Sequence, residues 1–383
     1  MIKTCIIGVS GYGQVHYELL LAAQASGRAE IAGAAIINQD EEPEKCARLR
    51  ELGCRIFDDY QEMLNELAGS AEFCMIPTGT PFHRPMTVAA LGAGMHTLVE
   101  KPAAGCTDDV RAMQEAARKA DRIVAVGYQL MYAPATMATK QHILNGTIGK
   151  LESIKCLVLW PRNHDYYSRN GWAGKLSVNG AIVNDSPYNN AVAHYLMMML
   201  FQAGATDRSA AMPVSVKAEL YRANAIESAD TACMQIETEE GVPIRFYATH
   251  ACQDAFGPEI QLQGTKGSII MAQNAVVITP DVGKPISLST GGGAHEAMMK
   301  SVFDAVQGGS SFICDLETAI RQTMVVSAIH QSCTIQPVEG KTVIPETGPA
   351  STFIPGIEEA MHKAFDAEQF LDESGSAGFN KTL

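Results

Sequence analysis

The chain has 383 residues, 46% of them apolar and 19% charged, which is enough for two regions with cores of their own. Its formal charge of −13 argues against nucleic acid or an anionic membrane surface as partner, since both select basic patches. The ten cysteines contain no C-x-x-C pair, the opening apolar run is too short for a signal peptide, and no apolar run is long enough to span a bilayer. Together these features predict a reducing, cytoplasmic setting.

Residues 1–127 alternate short apolar runs with helical stretches. "KTCIIG", "EIAGAAII", "EFCMIP", "HTLV" and "RIVAVG" read as strands buried on both faces, because they are continuously apolar rather than alternating. Stretches such as "QVHYELLLAAQASG" and "DDVRAMQEAARKA" read as the intervening helices. This rhythm predicts an α/β region, a Rossmann-type doubly wound parallel sheet. From residue 128 the pattern changes, and 128–383 is predicted to be an α+β domain with a large, mostly antiparallel open sheet. A long strand is expected near Leu151–Trp160, and a single apolar helix over Val183–Leu200, capped by Asp185 or Ser186 with Pro187 in its first turn. Alternating strands follow from Val214. "VSVKAELYR" sets Val214, Val216, Ala218 and Leu220 against Ser215, Lys217, Glu219 and Tyr221. Helices near His295–Gln307 and Leu316–Cys333 are expected to close this second region. The tail "DESGSAGFNKTL" is expected to be loosely held.

"IIGVSGYGQVH" follows the first strand and opens the first helix, the context that a dinucleotide fingerprint needs. Gly8, Ser10 and Gly13 fall at the G-x-G-x-x-G positions, with Gly11 beside them. Gly8 permits the tight turn, Gly13 permits close helix–strand packing, and the helix N-terminus offers N–H groups to pyrophosphate. Ser10 departs from the pattern. A glycine-rich turn without a ligand is the plainer alternative. The second strand ends at Ile37, and Asn38 follows where an acidic residue would usually hold the adenosine ribose. The acidic run Asp40–Glu42 follows, with no Arg or Lys before Lys45, which favours NAD over NADP.

"HTLVEKPAAG" puts Glu100, Lys101 and Pro102 where a buried strand leaves the sheet, the side on which open α/β sheets bind ligands. A lysine there is either a turn residue paired with Glu100 or a cation meant for a cofactor or a developing negative charge. At this point the chain resembles a known family, that of glucose–fructose oxidoreductase, inositol dehydrogenase and MocA (Gfo/Idh/MocA). The likeness rests on the Gly8–Gly13 loop with His16 behind it, "TGTPFH" at Thr78–His83, "LVEKP" at Leu98–Pro102 and "VGYQLMYAP" at Val126–Pro134. "GTIGKLESIK" and "GTKGSI" extend it into the second region.

The resemblance implies an NAD(P)-dependent oxidoreductase acting on a sugar, cyclitol or related polyol. It carries Tyr12, Gln14, Thr78, Thr80, His83, Glu100 and Lys101 to the cofactor side, and gives Lys101 reach to the reacting hydroxyl. It also implies an acid/base histidine four residues after an acid on a second-region helix. Counting ten residues back from Gly204 gives Asn190 and His194, so the acid is an amide. Counting forward from Gly180 gives Asn184 and Tyr188 instead. A buried structural imidazole is the bland alternative for His194. On the first count His194 is the general base, Lys101 donates to the developing alkoxide, and Asn190 orients the ring or a substrate hydroxyl. Asp185 is a candidate for the missing acid.

Substrate contacts are expected from Tyr128, Gln129, Arg162, His164, Trp172, Asp185 and Tyr188. The loop "LWPRNHDYYSRNGWAGK" offers bonding groups beside aromatic faces, as a pyranose ring needs, although a surface loop with a packed tryptophan reads equally well. Met131 stands where relatives often carry Arg. His164 and Asp165 form no regular ligand set, and no metal is predicted. Two rival functions remain open: an NAD-dependent glycosidase or lyase that oxidises transiently and eliminates, with Tyr188, His164 or His250 as extra base, and a non-catalytic NAD or sugar sensor. One face of the second sheet has too few helices to cover it, which predicts a homo-oligomer, dimer or tetramer.

Overall fold

The computed structural model describes residues 1–374 and separates into two compact units. The first comprises Met1–Tyr132 and Gly293–Ile320; the second comprises Ala133–Gly292 and the chain from Arg321 onward. Strands β1 (Ile2–Ile7), β2 (Ala29–Ala35), β3 (Arg55–Phe57), β4 (Phe73–Ile76), β5 (His96–Val99) and β6 (Val124–Val126) form one parallel sheet in the order 3-2-1-4-5-6. This is the doubly wound arrangement, with its crevice where the order reverses between β1 and β4. β4 is buried along its whole length, as a sheet covered on both faces requires. The helix Ala294–Val306 belongs to this unit rather than to the second region. Phe303 packs edge-on against Phe73 with centroids 5.4 Å apart, and Asp304 meets Arg28 at 2.7 Å.

The second unit holds β7 (Leu151–Leu159), a small hairpin of β8 (Ser177–Val178) and β9 (Ala181–Ile182), then β10 (Pro213–Arg222), β11 (Thr231–Thr238), β12 (Ile244–Thr249), β13 (Phe256–Gly264), β14 (Gly267–Ala272), β15 (Ala275–Pro280) and β16 (Ile286–Ser289). β17 (Ile335–Pro337) completes a nine-stranded sheet ordered 16-15-14-13-7-12-11-10-17, while β18 (Lys341–Val343) and β19 (Ser351–Phe353) pair separately. The large sheet is mostly antiparallel, but β7 runs parallel to β12, and β10 to β17.

Two expectations about this sheet need correction. The face thought to lack cover is partly closed by the chain's own helix Ile357–Ala367. Leu157 and Leu159 of β7 share a core with Tyr221, Tyr247, Met361 and Phe365. Glu219 and Tyr221, read as the polar side of β10, are therefore not left to water. Tyr221 is buried, and Glu219 accepts the backbone N–H of Leu371 at 2.8 Å. At the other end of the same strand the apolar side opens to solvent, Val214 being 60% exposed. Of the tail expected to be loose, the part beyond Ser374 lies outside the described residues.

The expected helix over Val183–Leu200 is broken in two. Pro187–Asn189 make a single 3-10 turn and the α-helix begins only at Ala193. The interruption is local chemistry: Asn189 Nδ2 donates to Val183 O at 3.0 Å, and Asn190 Nδ2 to Asp185 Oδ1 at 2.7 Å. Short polar side chains bonding near their own backbone compete with helix formation in this way. Neither Asp185 nor Ser186 caps the α-helix; Ser186 precedes the 3-10 turn and makes no side-chain cap. Asn190 and His194 thus do not share one helix face. The far end of the helix Ala193–Ala203 is fixed by buried Lys140, whose ammonium donates to the carbonyls of Phe201 at 2.6 Å, Gln202 at 3.3 Å, and Gly204. A cation on the last carbonyls of a helix is the favourable end for it.

Candidate active site

In the first unit the glycine loop adopts the shape that its sequence requires. Gly8 and Gly11 have φ of 87° and 57°, and a Cβ on Gly13 would stand 3.1 Å from the Gly8 carbonyl oxygen. The cradle therefore fits a pyrophosphate for reasons a side chain would spoil. No side chain caps the helix Gly13–Ala25, and no acidic residue stands in its first turn. Ser10, at the departing position, turns aside: Asn38 Nδ2 donates to its Oγ at 2.9 Å. The same amide donates to Glu41 Oε2 at 2.9 Å, so a carboxylate does reach the ribose position, from three residues further on. Lys45 donates to Val9 O at 2.8 Å and meets Glu42 at 2.7 Å. Tyr12 Oη lies 2.9 Å from His295 Nε2, and the Gln14 amide donates to Glu18 at 2.7 Å.

Behind Lys101 is a buried pair that sequence reasoning did not assign. Glu100 Oε1 lies 2.8 Å from His16 Nε2, with 5% and 0% of the two side chains exposed. Its other oxygen accepts the Lys101 backbone N–H at 3.0 Å. Gly127 makes room for this carboxylate, since a Cβ there would fall 2.3 Å from Glu100 Oε1. His83, read as a cofactor contact, is instead buried, with Nδ1 2.8 Å from Pro102 O and Nε2 2.9 Å from Thr78 O. Both ring nitrogens are taken up by the chain, so His83 shapes the loop from behind. Thr80 starts the helix Thr80–Gly92 and is buried, and Thr78 Oγ1 lies against Met86. Tyr128, Gln129 and Met131 are buried too.

In the second unit Asp185 is the centre of its group. It accepts from Gly174 N at 2.6 Å and from Asn190 Nδ2, with Arg169 at 3.8 Å. Arg169 is stacked over Tyr166, 3.8 Å from the ring centroid, and 5.3 Å from that of Trp172. Arg162 covers the same Tyr166 ring at 4.9 Å. His194 lies in the first turn of its helix, partly exposed. Tyr188, the rival for the acid/base position, is buried, its Oη 3.0 Å from His330 Nε2. Burial drives His330 down to about 4 and raises the phenol, so neither group is set up to trade protons near neutrality. His164 Nε2 is 3.0 Å from Thr352 Oγ1. His250 is buried with Nδ1 2.8 Å from Trp160 O.

Two family models match the chain: the oxidoreductase family NAD-binding Rossmann fold over residues 2–128, and the GFO/IDH/MocA C-terminal domain over 136–270. The chain belongs to the Gfo/Idh/MocA oxidoreductase family. It is similar to inositol 2-dehydrogenase of Klebsiella pneumoniae, 24% identical over 293 residues covering 76% of this chain and 78% of that protein. A shorter match, 31% identical over 96 residues, links it to D-glucoside 3-dehydrogenase of Escherichia coli, spanning 25% of this chain and 27% of that one. Among solved structures it resembles the WlbA dehydrogenase from Bordetella pertussis in complex with NADH and UDP-GlcNAcA. That likeness has a TM-score of 0.74 at 22% identity and covers 86% of this chain and 96% of the other.

Within this Gfo/Idh/MocA chain, two site features escaped sequence reasoning. The His16–Glu100 pair spans 84 residues, and its only sequence trace is a histidine three places past Gly13. The grip of Asp185 on Gly174 and Asn190 had a fainter signal, an acid among asparagines beside a proline.

Proposed function

We propose that this chain transfers hydride between a secondary alcohol of a sugar, cyclitol or related polyol and NAD, with Lys101, His194 and Asn190 as the working residues. The observation that carries this reading is the turn at Lys101, whose backbone is held by the buried Glu100–His16 pair. A cation fixed in this way is preorganised for an oxygen that gains negative charge. His194 removes the hydroxyl proton; an imidazole, with an ordinary pKa near 6.5, is suited to that task. Asn190, its amide fixed by Asp185, accepts or donates a bond to a neighbouring substrate hydroxyl. Gly8, Ser10, Gly11, Tyr12, Gly13 and Gln14 hold the dinucleotide and Asn38 its ribose, with Thr78, Thr80 and Glu100 lining the approach. NAD, when bound, supplies the hydride acceptor.

Preference for NAD over NADP is supported by Glu41 at the amide of Asn38, and by Lys45, the nearest cation of the loop, being matched by Glu42. Tyr128, Gln129, Arg162, His164, Trp172 and Asp185 are assigned to substrate contacts. A cytoplasmic location agrees with ten free cysteines, and a homo-oligomer agrees with exposed Val214, Ile270 and Val277 on the second sheet.

The test is incubation with NAD and a panel of free sugars, cyclitols and aryl glycosides, reading NADH and released aglycone together, with Lys101→Ala as control. NADH on a free sugar or cyclitol, lost by about a thousandfold in the variant, is the expected result. Aglycone without net NADH transfers the site to the oxidation–elimination reading. Ligand binding without either product, unchanged in Lys101→Ala, transfers it to the sensor.

A further inference from the structure

Arg162 makes no ion pair among the described residues, although it is partly buried. Its guanidinium carbon lies 5.7 Å from the Trp160 ring centroid and 4.9 Å from that of Tyr166. Nη1 donates to Pro161 O at 3.2 Å, and Nε is buried with no hydrogen-bond partner. Two more buried polar atoms without partners belong to the residues around that Tyr166 ring, Tyr167 Oη and His250 Nε2. His250 is 2% exposed and its Nδ1 is committed to Trp160 O, which leaves Nε2 directed elsewhere. Burial, reinforced by Arg162 and Arg169, pushes this imidazole down to about 3, so it is neutral at working pH. With Nδ1–H donating, Nε2 is an acceptor in want of a donor.

The charges here are uneven. Arg169 is matched by Asp185. Asp230, the other carboxylate facing this cluster, spends its oxygens on Ala223, Asn224 and Thr231. That leaves the Arg162 guanidinium without a carboxylate in contact, on an aromatic shelf beside a bare imidazole nitrogen. A guanidinium matches a carboxylate in bidentate geometry, and the buried Nε of Arg162 has an N–H to offer.

We propose that Arg162 anchors a carboxylate of the substrate, so that this chain prefers sugar acids of the hexuronate class to neutral hexoses, with a neighbouring hydroxyl donating to His250. The inference rests on the sugar-oxidoreductase reading given above and narrows its substrate.

The chain's only two tryptophans, Trp160 and Trp172, both lie in this cluster, so intrinsic fluorescence reports binding there without any turnover. The full chain, with NAD present, is titrated with matched pairs: glucuronate and glucose, galacturonate and galactose, mannuronate and mannose, with glucose 6-phosphate alongside. At least one uronate should bind about tenfold or more tighter than its neutral partner. Arg162→Gln should weaken uronate binding by about tenfold or more and abolish that preference, and Arg162→Lys should keep part of it. If Arg162→Gln fails to fold, Arg162→Lys and loss of the uronate preference in high salt decide instead. Equal binding within every pair, no uronate binding at all, a preference that survives Arg162→Gln, or tighter binding of the phosphate would overturn the proposal. A uronate that binds through Arg162 without forming NADH would leave the carboxylate site standing and count against the dehydrogenase chemistry. NADH formed on a neutral sugar, with no uronate preference, would do the reverse.

Discussion

The turn that carries Lys101 and the segment from Asp185 to Val192 both depart from regular helix and strand, and they are held with a different balance of near and distant contacts. The turn is fixed from a distance, by His16 at 84 residues' separation and His83 at 19, with Gly127 leaving space for the carboxylate between them. The second segment is shaped first by near neighbours, through Asn190 on Asp185 five residues away and Asn189 on Val183 six away, with Gly174 N eleven away; distant Gln322 and His330 then meet Tyr188 and Asn189 from outside it. Long-range buried contacts make a turn rigid, and they tie its integrity to distant residues. Short-range side-chain bonds can set the shape of a segment while leaving its outer face free to vary.

The comparison can be broken first at Glu100. Glu100→Ala strips the partner from a fully buried histidine and should cost about 3–5 kcal/mol in urea unfolding, with kcat falling much more than NAD affinity. Wild-type stability in that variant would mean the turn is not held from behind. Asp185→Ala should cost less, about 1–3 kcal/mol for the donors of Gly174 and Asn190 left without an acceptor, and Asp185→Asn should recover part of it. A full loss of folding would show this segment to be no more local than the other.

The smallest effect is one of pH. The ring of His250 sits at about 3 in the folded chain against about 6.5 when unfolded, so between these values only the unfolded chain takes the proton. The stabilisation is complete above pH 6.5 and is lost as pH falls, by about 1 kcal/mol at pH 5.5 from this residue alone. His250→Gln should flatten that part of the stability–pH curve, read by thermal unfolding across pH 5–8. An unchanged curve would show that another group carries the acid sensitivity.

Much of the first unit was legible because its information is periodic or local: continuous apolar runs for β1, β2, β4, β5 and β6, and glycines with positive φ, Gly8 and Gly11, in the turn after β1. β3 is only Arg55–Phe57, too short to show a period. The break before Ala193 escaped because Ala-Val-Ala and the methionines continue a helical composition through it, and what interrupts it is asparagine amides finding nearby acceptors. The cover over Tyr221 and Glu219 escaped because its source lies some 150 residues further on, at Leu371. Alternation along β10 records what a strand offers to its two faces; it holds no record of which later segment will settle there.

The first unit is discontinuous, and this bears on how the protein is made. Its last helix, Ala294–Val306, presents Phe303 to Phe73 and Asp304 to Arg28. On a ribosome that helix emerges only after all of Ala133–Gly292 has been synthesised. The cofactor-binding sheet therefore waits, one side of Phe73 uncovered, while Ala133–Gly292 is made, and the second unit waits in turn for the chain from Arg321 onward. A nascent chain halted before residue 293 would present that aromatic surface to chaperones.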